Sequence, residues 1–279
     1  MRLGGAVMKE YGSPVEWLKH VKELGYSCVV FPVDSRAPKS VIRDYAACAK
    51  DNDLIIGEVG IWKNLFHADD RERQFAYDWS VRQLELAEEV GANCCVNISG
   101  SLGSKWDGYH KDNLTKKTYD RIVEISQRLI DEVNPKHTHY SLEPMPWMYP
   151  DSPESYLQLI KDIDRAAFAV HLDYANMING IERYQKSDQF INHSFDLLGK
   201  YITSIHAKDL LADEVHLPVM ISEILPGNGG LNLGLVLKRA EALSEDMTVF
   251  VEHLNTHEDY VKAISHMRKT AEQVCVHIK

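Results

Sequence analysis

Four residues close, or sit within, four successive apolar runs in the second half of the chain. They are Glu143 after Thr138–Leu142, Asp173 after Phe168–Leu172, His206 within Ile202–Ala207, and Glu252 after Thr248–Val251. Together they form an O3N donor set. Carboxylates are hard oxygen ligands suited to Mg²⁺ and Mn²⁺, and one imidazole moves the preference towards Mn²⁺, Co²⁺ or Zn²⁺. A cation held by four anchored side chains keeps positions open for substrate oxygens, polarises a carbonyl and stabilises a neighbouring enediolate. Two of the four, Glu143 and Glu252, can also serve as base and acid for a carbon-bound proton. Taken singly, each residue has an ordinary structural explanation: a strand-end carboxylate caps a helix, pairs with a cation or anchors a loop. Taken in series they do not, because a buried cluster of unpaired carboxylates is costly without a cation. The set therefore predicts one divalent cation, Mn²⁺ first, with Mg²⁺, Co²⁺ and Zn²⁺ as alternatives.

The elements that must position these residues recur along the chain. Short apolar runs at Leu3–Met8, Cys28–Phe31, Leu54–Val59 and Cys94–Ile98 precede the four already named, and none alternates with polar residues. Such runs fit strands buried on both faces of a parallel sheet. Longer amphipathic stretches separate them: Ser13 to Leu24, Asp69 to Val90, Thr115 to Val133, a helix opening at Ser152-Pro153, Ser187 to Leu198, and Glu258 to Cys275. Ser-Pro at 13–14 and 152–153 supplies an N-cap and a first-turn proline, while Gly25 and Gly91 supply stops. Eight strand–helix units in 279 residues match the size of one (β/α)8 barrel, whose functional residues gather at the C-terminal strand ends. The competing open, doubly wound sheet lacks its usual support, since no G-x-G-x-x-G follows the first run. A single α/β barrel spanning 1–279 is the predicted fold.

Composition narrows the function. Lys plus Arg is 31 against 41 for Asp plus Glu, a net charge of −10, which disfavours a nucleic-acid surface. No apolar run approaches the length of a membrane span, and residues 1–10 lack the signature of a signal peptide. The five cysteines form no C-x-x-C pair, so reduced thiols and a cytoplasmic location are expected. Around the core set, several residues are candidates for substrate contact. Trp62 and His67 follow the third run. Trp147 lies beside Glu143, Lys208 two residues after His206, and Asn176 three after Asp173. His216 and Glu223 precede a Gly-rich turn. The polar stretch from Ser99 to Asn113, with Trp106, reads as a rim loop.

The stretches SLEPMPW at 141–147, HLDYANM at 171–177, SIHAKD at 204–209, PGNGGLNL at 226–233 and FVEHL at 250–254 resemble the xylose-isomerase-like barrels. That group contains metal-dependent sugar isomerases, ketose 3-epimerases, inosose dehydratases and AP endonucleases. The resemblance implies that Glu143, Asp173, His206 and Glu252 bind the metal and that Glu143 and Glu252 form the proton-transfer pair. It implies a small-molecule sugar or glycoside as partner, with a homo-oligomer or a second subunit admitted. Two departures matter. The ketose 3-epimerases have a substrate-contacting His where Asn176 stands, and an Arg shortly after the metal His where Lys208 and Asp209 stand. The three-metal endonucleases use extra histidines, whereas the third and fourth runs here carry Glu58 and Asn97. The expected activity is sugar isomerisation or epimerisation through an enediolate. The alternative is a lyase on oxidised (3-keto) glycosides, like the metal-bearing subunit of a C-glycoside deglycosidase, or a dehydratase. A non-catalytic sugar-binding barrel and an AP endonuclease are the remaining competitors.

Overall fold

The computed structural model describes residues 1–279. The barrel strands are β1 (Arg2–Gly5), β2 (Cys28–Val30), β3 (Ile55–Gly60), β4 (Cys94–Asn97), β5 (His139–Leu142), β6 (Phe168–Asp173), β7 (Ile202–Ala207) and β10 (Thr248–Val251). All paired neighbours are parallel, in the order β1-β10-β7-β6-β5-β4-β3-β2. The seam between β1 and β2 is drawn together by Ser27 N–H donating to the Leu3 carbonyl at 2.9 Å. Most residues of the barrel strands are buried, and β1, β4, β6 and β10 are buried along their whole length, which is why the runs read as continuous apolar segments rather than alternating ones.

The helices outside the barrel are α1 (Pro14–Glu23), α2 (Lys39–Asp51), α3 (Asp70–Val90), α4 (Lys116–Val133), α5 (Pro153–Ile163), α6 (Ile181–Gln185), α7 (Ser187–Leu198), α8 (Leu233–Leu243) and α9 (His257–Gln273). Side-chain oxygens of Ser13, Asp69, Thr115, Ser152 and Thr256 accept from first-turn amides, satisfying groups that a helix start leaves orphaned. No helix is long and apolar enough to cross a membrane.

Three features depart from the sequence expectation. The first strand ends at Gly5 rather than Met8, because the Ala6 carbonyl accepts from the Tyr26 hydroxyl instead of a neighbouring strand. α2 starts behind Pro38 with no side-chain cap, so the usual start signal is missing. Between β7 and α8 the chain forms an antiparallel hairpin, β8 (Asp209–Asp213) with β9 (Met220–Ile224). Its base is fixed by the Asp209 carboxylate, which accepts from the amides of Gly227, Gly229 and Leu231 at 3.0, 2.9 and 3.0 Å. A Cβ on Gly229 would lie 2.2 Å from Asp209 Oδ1. The Gly-rich turn is thus wrapped around a buried carboxylate, and only glycine lets the backbone come so close.

Candidate active site

The four strand ends bring their side chains together. Glu143 directly follows β5 and its N–H donates to the Asn97 carbonyl at 2.8 Å, continuing the parallel register. Asp173 ends β6, His206 lies in β7 opposite it, and Glu252 follows β10. One donor atom from each of Glu143, Asp173, His206 and Glu252 falls within 4.8 Å of all the others. His206 Nδ1 is 2.9 Å from Glu252 Oε1, 3.4 Å from Glu143 Oε1 and 3.9 Å from Asp173 Oδ2.

Lys208, two residues after His206, packs against this cluster. Its ammonium is 2.7 Å from Asp173 Oδ2 and 3.5 Å from Glu143 Oε1, and it also contacts Glu252 Oε1. Asp173 Oδ2 and Glu252 Oε1 are nonetheless buried without a hydrogen bond of acceptable geometry. The charge contact is short, but neither oxygen gains a directional bond. Two buried carboxylate oxygens in that condition, beside an imidazole nitrogen and a third carboxylate, are what a hard or borderline divalent cation would satisfy. The residues present therefore fit the cation that their types predicted.

Burial, followed by the charge of Glu252, pushes the Glu143 carboxyl above the usual range. Burial acts in the same sense on Glu252, but His206 and Lys208 outweigh it and hold that carboxyl well down. Burial alone would depress His206, yet Glu252 and Glu58 raise it well above an ordinary imidazole. The two glutamates are thus pushed in opposite directions.

A second layer lies below. His171 and Ser204 stand two residues before Asp173 and His206, so they face the same way one step deeper in the barrel. With Glu58 of β3 they form a buried network. Glu58 Oε2 accepts from His206 Nε2 at 3.3 Å, and Oε1 accepts from His171 Nε2 at 3.1 Å and from the Ser204 hydroxyl. The imidazoles meet edge to face at 4.0 Å. With Nε2–H committed to Glu58, His206 presents Nδ1 to the ligand cluster. A carboxylate behind a metal-binding histidine fixes its tautomer and raises its basicity. The signal for Glu58 was present in the sequence, as a carboxylate inside an apolar run, but residue type alone does not say what it meets.

The substrate-contact candidates divide. Trp62 lines a cavity of about 450 Å³ above the cluster, together with Glu143, His206 and Glu252. Asn176 donates to Glu143 Oε1 at 3.2 Å and to the Pro144 carbonyl at 3.1 Å, so it braces a ligand. Lys208 is buried against the carboxylates and does not line the cavity. Trp147 borders a neighbouring cleft and donates its indole N–H to the Asp107 carbonyl at 2.8 Å, pinning the rim loop that carries Trp106. His216 lies outside the cavity, on the exposed turn of the β8–β9 hairpin, where it bonds Asp213. It sits in the turn at the far end of the hairpin from Glu223, the residue that bonds His253. The residue that the sequence passed over is His253. It lines the cavity with a left-handed backbone, φ 56°, and bonds Glu223 of the hairpin at 3.1 Å.

Comparison with known proteins agrees with this architecture. The D-psicose 3-epimerase of Clostridium cellulolyticum H10, solved with D-tagatose, superposes with a TM-score of 0.71 at 15% identity, covering 99% of this chain and 100% of that one. The 3-keto-D-glucoside 4-epimerase of E. coli gives 0.67 at 16% identity, covering 96% and 99%. A Mycobacterium smegmatis barrel in complex with magnesium gives 0.68 at 17% identity, covering 94% and 90%. No curated protein sequence matches the chain. The family model for the xylose isomerase-like TIM barrel matches residues 18–270, and the chain belongs to that family.

Proposed function

We propose that the protein is a divalent-metal-dependent sugar isomerase or epimerase that moves a proton on a carbon beside a carbonyl. The observation that carries this reading is the convergence of Glu143, Asp173, His206 and Glu252 within 4.8 Å at the mouth of the barrel. When bound there, a divalent cation polarises the substrate carbonyl and stabilises the negative charge that develops next to it. Mn²⁺ is the first choice for an O3N set. Glu143 and Glu252 border the cavity from β5 and β10, so their carboxylates approach a bound sugar from different strands. One accepts the proton, leaving an enediolate, and the other returns a proton at the new position. Asn176 and Lys208 hold Glu143 and Asp173 in place, and Glu58 holds His206.

A lyase or dehydratase acting on an oxidised glycoside is the second reading. It is favoured by the aromatic lining of the cavity and begins with the same proton loss. The test is turnover in D₂O with the Mn²⁺-loaded protein and a panel of neutral ketoses and 3-keto-glycosides, followed by NMR. Deuterium on the carbon next to the carbonyl is expected. Conversion without label would refute proton transfer, and release of an aglycone or water would select the lyase. Loss of turnover after extensive chelation, restored by Mn²⁺, Co²⁺ or Mg²⁺, tests the cation.

A further inference from the structure

The cavity has two unlike ends. At its floor are the carboxylates and His206. Towards the solvent the walls are aromatic and aliphatic: Trp62, Trp106, Val30 and Met145 line it, and the buried Tyr260 also borders the cavity. Trp62 and Trp106 are each 38% exposed, a large apolar area to leave in water at about 25 cal/mol per Å².

Trp62 is also held there at a cost. Its backbone is left-handed, φ 50°, a conformation unfavourable for a bulky residue and concentrated at ligand-binding positions. Its indole folds back over Gly60, where a Cβ would lie 2.1 Å from the indole nitrogen. Trp106 is fixed from outside by the Trp147 bond to the next residue, Asp107. The two indoles are therefore built into place rather than left over from packing.

Charge points the same way. No lysine or arginine lines the cavity, whereas Glu58, Asp107, Glu143 and Glu252 do. The nearby Lys208 is already engaged by carboxylates. Asp107 Oδ1 is buried without a hydrogen-bond partner, which suits a hydroxyl donor and repels an anion. A phosphorylated sugar would find no lysine or arginine along these walls.

We propose that the substrate is an uncharged keto-glycoside, its sugar ring bearing the carbonyl over the carboxylate cluster and its flat aromatic aglycone against Trp62 and Trp106. This rests on the sugar reading above and narrows it to a substrate class. Aromatic faces stack on one another and on the C–H faces of sugars, so the aglycone adds binding energy that a free sugar lacks.

The experiment is calorimetric titration of the Mn²⁺-loaded protein with 4-nitrophenyl and methyl glycosides of glucose, galactose and xylose. Glucose 6-phosphate and 4-nitrophenol serve as further probes. The expected result is that 4-nitrophenyl glycosides bind about tenfold more tightly than their methyl counterparts. Trp62→Ala and Trp106→Ala should each remove most of that ratio, and Trp62→Phe should restore it, while Mn²⁺ affinity stays at the wild-type value. Equal binding of aryl and methyl glycosides, no binding of any aryl glycoside, tightest binding of glucose 6-phosphate, or 4-nitrophenol binding as well as its glycosides would each overturn the proposal. The D₂O experiment fails independently: an aryl preference without deuterium label keeps this subsite and removes the epimerase.

Discussion

One cavity has two walls made by different means. One wall presents the ionisable groups Glu58, Glu143, His206 and Glu252 to the cavity, with Asp173, Lys208 and His171 buried against them. The wall from β1 and β3 is built by removing side chains. A Cβ on Gly57 would lie 2.6 Å from the Phe250 ring, and one on Gly4 would lie 2.3 Å from the Cys28 carbonyl and 2.9 Å from the same ring. Glycine on these strands lets Phe250 cross the barrel axis and leaves room above it. The polar wall sets what chemistry can happen, and the apolar wall sets what can enter. Substitutions on the first should therefore act on catalysis and metal, and those on the second on selectivity and packing.

The largest expected effect is on the polar wall. Glu143→Gln and Glu252→Gln keep size and one oxygen donor but cannot accept a proton. Each should lower turnover by about 10²–10⁴-fold, the usual worth of a general acid or base, while some metal and substrate binding remains. Steady-state kinetics beside metal titration separates the two losses. Wild-type turnover in either variant would break the division between the walls.

How far each wall could be read in the sequence follows from how it is built. The convergence of Glu143, Asp173, His206 and Glu252 was legible because four such residues at four successive apolar runs meet at one rim of a barrel, although each alone has an ordinary structural explanation. The barrel was legible for a related reason, since strands buried on both faces leave unbroken apolar runs. Glu58, His171 and Ser204 were visible as polar residues inside strands, but their meeting depends on barrel closure, which brings β3 across to β6 and β7. Trp62 was legible as a candidate only, because an aromatic in a loop fits packing equally well. His216 misled because its neighbourhood resembles a substrate loop while the hairpin carries it away. Asn176 and Lys208 were read as substrate contacts; in the structure Asn176 bonds Glu143, and Lys208 contacts the carboxylates of Asp173 and Glu252.

A smaller effect is expected one layer down. Glu58→Gln removes the charge behind His206 while leaving a side chain of the same shape. Orienting partners of this kind are worth about 10–100-fold in metal affinity. Mn²⁺ titration should show a loss in that range, and a Co²⁺-loaded sample should show altered visible absorption bands. Unchanged affinity and bands would reduce the lower layer to packing.

Protons should compete with the cation at the same wall. Glu143 and His206 both hold protons more tightly than such groups usually do, Glu143 through burial and Glu252, and His206 because surrounding carboxylates outweigh burial. A cation needs both deprotonated. Raised pKa values mean that the protonated forms persist to higher pH, so metal affinity should fall as pH falls and rise through the neutral range. Calorimetric titration at about pH 6, 7 and 8 should show affinity increasing by up to about tenfold per unit for each proton released. A flat profile would mean that the cation meets groups already free of protons.

The smallest effect belongs to the apolar wall, and it tests whether that wall is made by absent side chains. Gly60→Ala places a methyl group where the Trp62 indole lies, 2.1 Å from Nε1 and 2.8 Å from Cδ1. Neither the strand nor the left-handed backbone at Trp62 leaves an easy retreat, so overpacking should cost about 1–3 kcal/mol, read as a lower denaturation midpoint with unchanged slope. Trp62→Ala removes the atoms that the new methyl group would strike. In that background Gly60→Ala should cost much less, and the double-mutant cycle should return a coupling energy of about 0.5–3 kcal/mol, the range for residues in contact. Metal affinity should stay close to wild type in all three variants, because none of them touches a ligand. An additive cycle would show that Gly60 is not kept small by Trp62, and a large loss of metal affinity would show that the two walls are not independent.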